Sequence, residues 1–343
     1  MKLKKIVIAA SVVVAVMCVV FFAAPLFIKE PAAPGNSIPP HFACDNSCSL
    51  ITEPDDGIAP LRAMIQGAAK SIDLVMYELE DKAIEADLAA AHKRGVAVRV
   101  VLSPGYEGEP SMVNEAAYDA LRAQGLAVHW APDHFALTHE KSLVIDGVQA
   151  LIMSFNLVPK YYPTGRDFGV VDRDPRDVAA MEAAFNADWH GIGAAADAGR
   201  DLVWSPGSRA AIIAMIDHAE ESLDIYNEEM ADDGIIQALV RAAERGIAVR
   251  IDMTYSPDWK SAFKKLALVG VGIRTYGASA PLYIHAKMII VDGALAFVGS
   301  ENFSGTSLDK NRELGIMVSN ADTVQSLQTT FNADWRGASP FSP

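Results

Sequence analysis

KSIDLVMYELEDKAIEADLAAAHKRGVAVRVVLS, residues 70–103, is answered by ESLDIYNEEMADDGIIQALVRAAERGIAVRIDMT, residues 221–254, at an offset of 151. Further along, HEKSLVIDG beginning at His139 returns as HAKMIIVDG at His285, and FNADW at Phe185 returns at Phe331, both at an offset of 146. The first copy therefore carries five extra residues between Ser103 and His139, placed in the loop around GYEGEPS, residues 105–111. Solenoid units run to roughly 20–45 residues, so a period this long reads as a duplicated domain.

Each copy has the same grammar. An amphipathic helix (58–70; 209–222) leads to a strand, DLVMYEL or LDIYNEE, and then to a helix stopped at Arg94-Gly95 or Arg245-Gly246. A strand (VAVRVVL; IAVRIDM), a helix and three short apolar strands follow, and a last helix starts after Asp174-Pro175 or Asn320. Strands alternating with helices make the fold class α/β: tandem domains, each a mixed β-sheet flanked by helices. The domains are assigned to residues 51–190 and 201–337, with the Ala/Gly-rich stretch 191–199 as the seam.

The 343 residues are 51% apolar and 21% charged, which excludes a disordered chain. Residues 1–30 hold Lys2, Lys4, Lys5, Lys29 and Glu30; the remaining 313 carry 25 basic and 42 acidic side chains, a net −17. Such a surface repels phosphate backbones at long range and argues against a general nucleic-acid-binding protein.

Three lysines precede an uncharged run from Ile6 to Ile28. At 1.5 Å per residue this spans roughly 35 Å, enough to cross a bilayer core of about 30 Å. Secretory signal cores are shorter, about 7–15 apolar residues, so residues 1–30 read as a transmembrane anchor, with cleavage after Ala23 or Ala24 as the alternative. The leading lysines orient the bulk of the chain outward, giving an extracytoplasmic, tethered localisation, or secretion if the segment is cleaved. Residues 31–50 are a proline-rich tether holding Cys44 and Cys48, which suit a small local disulfide in an oxidising compartment. A metal site with His41 is the sharper alternative, but it lacks a fourth ligand.

The chemistry concentrates in one window of each copy. His139-x-Lys141 and His285-x-Lys287 lie in strand-like segments, where residues two apart share a face. Ser154-x-Asn156 and Ser300-x-Asn302 add a hydroxyl and an amide, and Asp167 and Glu313 each fall 28 residues after their histidine. Two copies face to face gather ammonium and amide donors for non-bridging phosphate oxygens, with imidazoles for the bond changes. One such motif is weak evidence; the whole set recurring at a fixed offset is strong.

The pattern H-x-K-x4-D, followed by Ser-x-Asn and an acidic residue, resembles the phospholipase D superfamily, from about Ile51 to Trp335. The first copy departs from the usual form with MSFN where the second has GSEN, and with Asp167 in place of Glu. The resemblance implies two similar domains sharing one active site, a covalent phosphohistidine mechanism, and no cofactor or metal. It implies His139 as the nucleophile on phosphorus and His285 as the acid and then base for the leaving and attacking oxygens. Lys141, Lys287, Ser154, Asn156, Ser300 and Asn302 would hold the phosphate. Asp167 and Glu313 would orient the histidines, with the pairing open.

Asp146 and Asp292 stand five residues after the lysine, an odd count that turns them away from His and Lys, and each precedes glycine; a structural turn role follows. Arg166 and Arg312 neighbour the carboxylates and should point to the opposite face. His92, His129, His134, His190 and His218 read as core or surface residues. Trp189 and Trp335 read as helix-end packing anchors. Tyr161 and Tyr162 are candidates for the entrance of the site or for a loop role.

The expected activity is hydrolysis of a glycerophospholipid to phosphatidate and head group, by a monomer without an obligate protein partner. Cardiolipin-synthase-type transfer uses the same residues, and an extracytoplasmic nuclease is the alternative that the acidic charge disfavours.

Overall fold

The computed structural model describes residues 44, 48–105, 112–192 and 199–342. The apolar run 6–28, His41, most of the GYEGEPS loop and residues 193–198 of the seam lie outside the described residues. Among the described residues no helix is long and apolar enough to cross a membrane.

The first half runs β1 (Ser49–Glu53), α1 (Ala59–Gly67), β2 (Ser71–Met76), α2 (Lys82–Lys93), β3 (Ala97–Leu102), α3 (Met112–Ala123), β4 (Ala127–Trp130), β5 (Ser142–Ile145), β6 (Gln149–Met153), β7 (Gly165–Asp172) and α4 (Pro175–Trp189). The second half runs β8 (Leu202–Ser205), α5 (Ser208–His218), β9 (Ser222–Tyr226), α6 (Asp233–Glu244), β10 (Ala248–Thr254), a 3-10 turn at Pro257–Trp259, α7 (Lys260–Leu268) and β11 (Gly272–Tyr276). It closes with β12 (Tyr283–Ile284), β13 (Lys287–Val291), β14 (Leu295–Gly299), α8 (Gly305–Asp309), β15 (Glu313–Val318), α9 (Ala321–Gly337) and β16 (Ser339–Pro340). The first sheet begins at Ser49, inside the stretch assigned to the tether, and the second ends at Pro340, beyond residue 337.

The sheets are ordered β1-β7-β6-β5-β2-β3-β4 and β16-β11-β10-β9-β13-β14-β15-β8. In each, the strands joined through helices are parallel (β2 to β3 to β4; β9 to β10 to β11), and the hairpin-connected strands are antiparallel, so both sheets are mixed. Helices α2 and α6 begin because Asp81 and Asp232 accept from the N–H groups of Ala83 and Ile235, and stop at Gly95 and Gly246 with φ of 93° and 89°. Asp174 and Asn320 cap α4 and α9 in the same way.

The opening helices of the two copies end earlier than the sequence pattern alone suggests, at Gly67 and His218. Asp146 is the reason in the first copy. Its carboxylate accepts from the backbone N–H groups of Ala69, Lys70 and Ser71, turning the chain from α1 into β2. Asp292 does the same for Glu220, Glu221 and Ser222. Both aspartates sit at left-handed φ, 57° and 52°, beside a glycine, at the corner of a hairpin.

Each sheet packs one face against its own helices, around residues such as Ile72, Leu74 and Leu88, or Leu223, Ile225 and Leu239. The other faces meet in a third core shared by the halves, in which Phe168, Val170 and Met181 pack with Met288, Leu314 and Phe331. Burial on both faces is why the strands read as near-continuous apolar runs. Cys44 is joined to Cys48 by a disulfide.

Candidate active site

The two halves meet through exchanged backbone. The short strand β12 of the second half pairs with β7 of the first, Tyr283 opposite Gly165 and Ile284 opposite Arg166. A matching bridge joins Thr138 to Arg312. The backbone N–H of His139 donates to the carbonyl of Arg312, and that of His285 to the carbonyl of Arg166. Each histidine is therefore carried to the residue that precedes the other half's acid.

The side chains complete the exchange. His139 Nδ1 lies 2.7 Å from Glu313 Oε2, and His285 Nδ1 lies 2.9 Å from Asp167 Oδ1. The carboxylates are themselves held. Ser154 Oγ donates to Asp167 Oδ1 at 2.5 Å; Ser307 Oγ and Asn311 Nδ2 donate to Glu313 Oε1 at 2.6 and 3.0 Å. With Nδ1 anchored, each imidazole presents Nε2 to the cavity.

A cavity of about 480 Å³ opens at this junction, lined by His139, His285, Asn156, Asn302, Asp167, Tyr161 and Tyr162 among others. Lys141 and Lys287 are fully buried, each donating to the carbonyl of its own cavity-lining histidine at 2.7 and 2.6 Å. Asn156 Oδ1 and Asn302 Oδ1 are buried without a hydrogen-bond partner among the described residues. The arrangement supplies two imidazoles, two ammonium groups and two amides around one polar space.

Ser154 and Ser300, expected to bind phosphate, are not among the residues that line the cavity. Ser154 is spent on Asp167, and Ser300 Oγ accepts from the Leu314 N–H at 3.2 Å. Strands β6 and β14 end at Met153 and Gly299, so the two-residue face rule stops one residue before each serine. Arg166 and Arg312 also turn away. Arg166 Nε pairs with Asp334 at 2.6 Å and Arg312 with Asp188 at 2.8 Å, binding each half to the FNADW helix of the other. Trp189 stacks on His129 with ring centres 3.7 Å apart, and Trp335 lies under Arg250 and Arg274.

The duplication is broken at one pair of positions that the sequence reading passed over. Tyr77, at the end of β2, packs edge-on against His139 with centroids 4.7 Å apart, and Lys141 Nζ lies 5.1 Å over its ring. In the second half the same position is Glu228. Its Oε2 lies 3.1 Å from Lys287 Nζ and 3.5 Å from His285 Nε2, and its Oε1 accepts from Tyr283 Oη at 2.8 Å. Aligning the two strands residue by residue exposes the mismatch; a search for recurring residues does not.

The surroundings set the charges. Burial, with Lys141 and Lys287 nearby, pushes His139 down to about 4, so its ring is neutral at pH 7 and its free nitrogen nucleophilic. Burial, with Lys287 beside it, pushes Lys141 down to about 7. Burial raises Glu228, but the charges of Lys287 and His285 outweigh it and hold the carboxyl well below the usual range. Burial, then Asp167, Asp56 and Asp55, pushes Glu53 on the cavity wall up to about 7.

A duplicated α/β chain that exchanges carboxylates between two histidines over one polar cavity is built for phosphodiester chemistry. The comparisons give it its family: residues 61–189 and 212–335 match the family described as cardiolipin synthase, PLD-like domain, and the chain belongs to the phospholipase D superfamily. It is 27% identical over 340 residues to the major cardiolipin synthase ClsA of Bacillus subtilis (strain 168), covering 85% of this chain and 70% of that one. It is 24% identical over 334 residues to a cardiolipin synthase of Listeria monocytogenes serotype 4a, covering 84% and 69%. The fold is that of the phosphatidylserine synthase of Haemophilus influenzae, with TM-score 0.67, 12% identity and 88% of both chains covered. The polyphosphate kinase of Porphyromonas gingivalis also matches, with TM-score 0.65 and 14% identity over 85% of this chain, which spans about half (48%) of that longer protein.

Proposed function

We propose that this protein is a phosphatidyltransferase of the cardiolipin synthase kind, moving a phosphatidyl group between alcohols through a phosphohistidine. The observation that carries the reading is the crosswise pair His139–Glu313 and His285–Asp167 over one cavity, and the similarity to cardiolipin synthases supports it. His139 Nε2 attacks phosphorus, the P–N bond forms, and the P–O bond to the first alcohol breaks as His285 gives that oxygen its proton. His285 then takes the proton of the incoming alcohol, whose oxygen displaces His139. Lys141, Lys287, Asn156 and Asn302 hold the non-bridging oxygens. Water in place of the second alcohol makes the same cycle a hydrolysis that releases phosphatidate.

The acidic cavity wall and the net charge of −17 outside residues 1–30 favour a lipid over a nucleic-acid strand. The apolar run 6–28 supports a tethered, extracytoplasmic placement, with the exposed Tyr161 and Tyr283 at the mouth facing the lipid surface. The test gives the full chain and its His139→Ala variant phosphatidylglycerol vesicles in chelator, with a single-stranded oligonucleotide in a parallel tube. Cardiolipin and free glycerol formed only by the unsubstituted chain are expected. Phosphatidate alone would make it a hydrolase, and a shortened oligonucleotide with intact lipid would make it a nuclease.

A further inference from the structure

The two halves place different groups at equivalent positions, Tyr77 beside His139 and Glu228 beside His285. Building on the phosphodiester reading of the site, we propose that Glu228 is a specificity-determining residue, a fixed negative charge that admits singly charged phosphodiesters and turns away phosphomonoesters. Its place fits this. His285 Nε2 is where the leaving or entering oxygen exchanges its proton, and Glu228 Oε2 stands 3.5 Å from that nitrogen and 3.1 Å from Lys287 Nζ. In a diester this third phosphate oxygen is esterified and uncharged. In a monoester it is free, and near neutral pH the group carries about −1.5 to −2.

The rest of the cavity does not offset that charge. Glu53, Glu78 and Glu229 also line it, whereas Lys141 and Lys287 are buried behind the lining residues and Lys287 is already paired with Glu228. Glu228 is held in place, by Tyr283 Oη at 2.8 Å on one oxygen and by Lys287 on the other, so it cannot swing away without leaving both partners. The functional consequence concerns the product of the hydrolytic branch. Phosphatidate is a monoester, so its free oxygen meets the Glu228 carboxylate, and it neither lingers in the site nor returns as a phosphatidyl donor.

The experiment measures binding, so it does not depend on turnover of any lipid. The full chain in detergent, carrying His139→Ala to prevent reaction, is titrated calorimetrically at pH 8 with diphenyl phosphate (a monoanion) and with phenyl phosphate (a dianion), alone and with Glu228→Gln or Glu228→Asp added. The expected result is that Glu228→Gln tightens phenyl phosphate about tenfold or more, as removal of a nearby unit charge predicts, and changes diphenyl phosphate less than about threefold. Glu228→Asp, which keeps the charge, should keep the discrimination, and this guards against a loss that is merely structural. Equal changes for both compounds, no change for either, or no binding of diphenyl phosphate to the Glu228 parent would overturn the proposal. Discrimination that depends on Glu228 in a chain that forms no cardiolipin would support it while removing the transferase reading.

Discussion

At the scale of single residues, burial gives His139 and Lys141 their working protonation states, and pH separates them. The histidine has an ordinary value near 6.5 and is pushed down to about 4 in the folded protein. The unfolded chain takes up this proton as pH falls through about 6.5, whereas the native chain resists until about 4. His139 thus contributes stability above about pH 6.5, lost progressively down to about 4. The same shift keeps His139, the proposed nucleophile, unprotonated, so the acid limb of kcat/KM assigned to it should be centred near pH 4 rather than near 6.5. A pH–rate profile checks this, and an acid limb near 6.5 that persists in His285→Ala would oppose it. For Lys141, whose value falls to about 7, the charged form proposed to hold phosphate is lost above neutrality. Binding of diphenyl phosphate should then weaken by up to about tenfold for each pH unit above 7. Lys141→Arg, which stays charged, should flatten that dependence.

At the scale of elements, the aspartate five residues after each lysine belongs to the turn chemistry of the fold. Asp146 and Asp292 each collect three consecutive backbone N–H groups where a helix gives way to a strand. Asp146→Ala should destabilise the protein by about 2 kcal/mol by urea denaturation and leave kcat/KM within about twofold. A collapse of activity at full stability would instead place Asp146 in the chemistry. The odd spacing and the following glycine already show this role in the sequence. Strand parity likewise turns Arg166 away from Asp167, because both lie inside β7. It does not extend to Ser154 and Ser300, because parity holds only while the strand lasts and both serines fall just past its end. Ser307, which takes the corresponding place against Glu313, comes from the five-residue helix α8 and has no counterpart in the first copy's pattern. Glu228 escaped for the opposite reason: attention to what recurs passes over the position where the copies differ.

At the scale of the whole molecule, duplication makes the fold class and both histidine–lysine pairs legible in one dimension, whereas the exchange between halves exists only in three. Nothing in the spacing says that each acid serves the other half's histidine; β12 crossing to β7 decides it. The same exchange is built a second time in the framework, where Arg166 reaches Asp334 and Arg312 reaches Asp188. Arg166 and Asp334 are 6% and 7% exposed, so the pair lies in a low-dielectric setting. Arg166→Met leaves the Asp334 carboxylate buried with the Tyr226 hydroxyl, 2.8 Å away, as its remaining side-chain hydrogen-bond donor among the described residues. Loss of one partner from such a pair costs about 3–5 kcal/mol, and Asp334→Asn added to Arg166→Met should recover a substantial part of it. Because Arg166 precedes Asp167 and its carbonyl accepts from the His285 N–H, the single variant should also lose kcat while diphenyl phosphate binding changes little. Urea midpoints and kinetics on the two variants test both halves of this expectation. An Arg166→Met protein as stable and as active as the unsubstituted chain would mean that the exchanged strand, without its ion pair, is enough to hold the two halves in register.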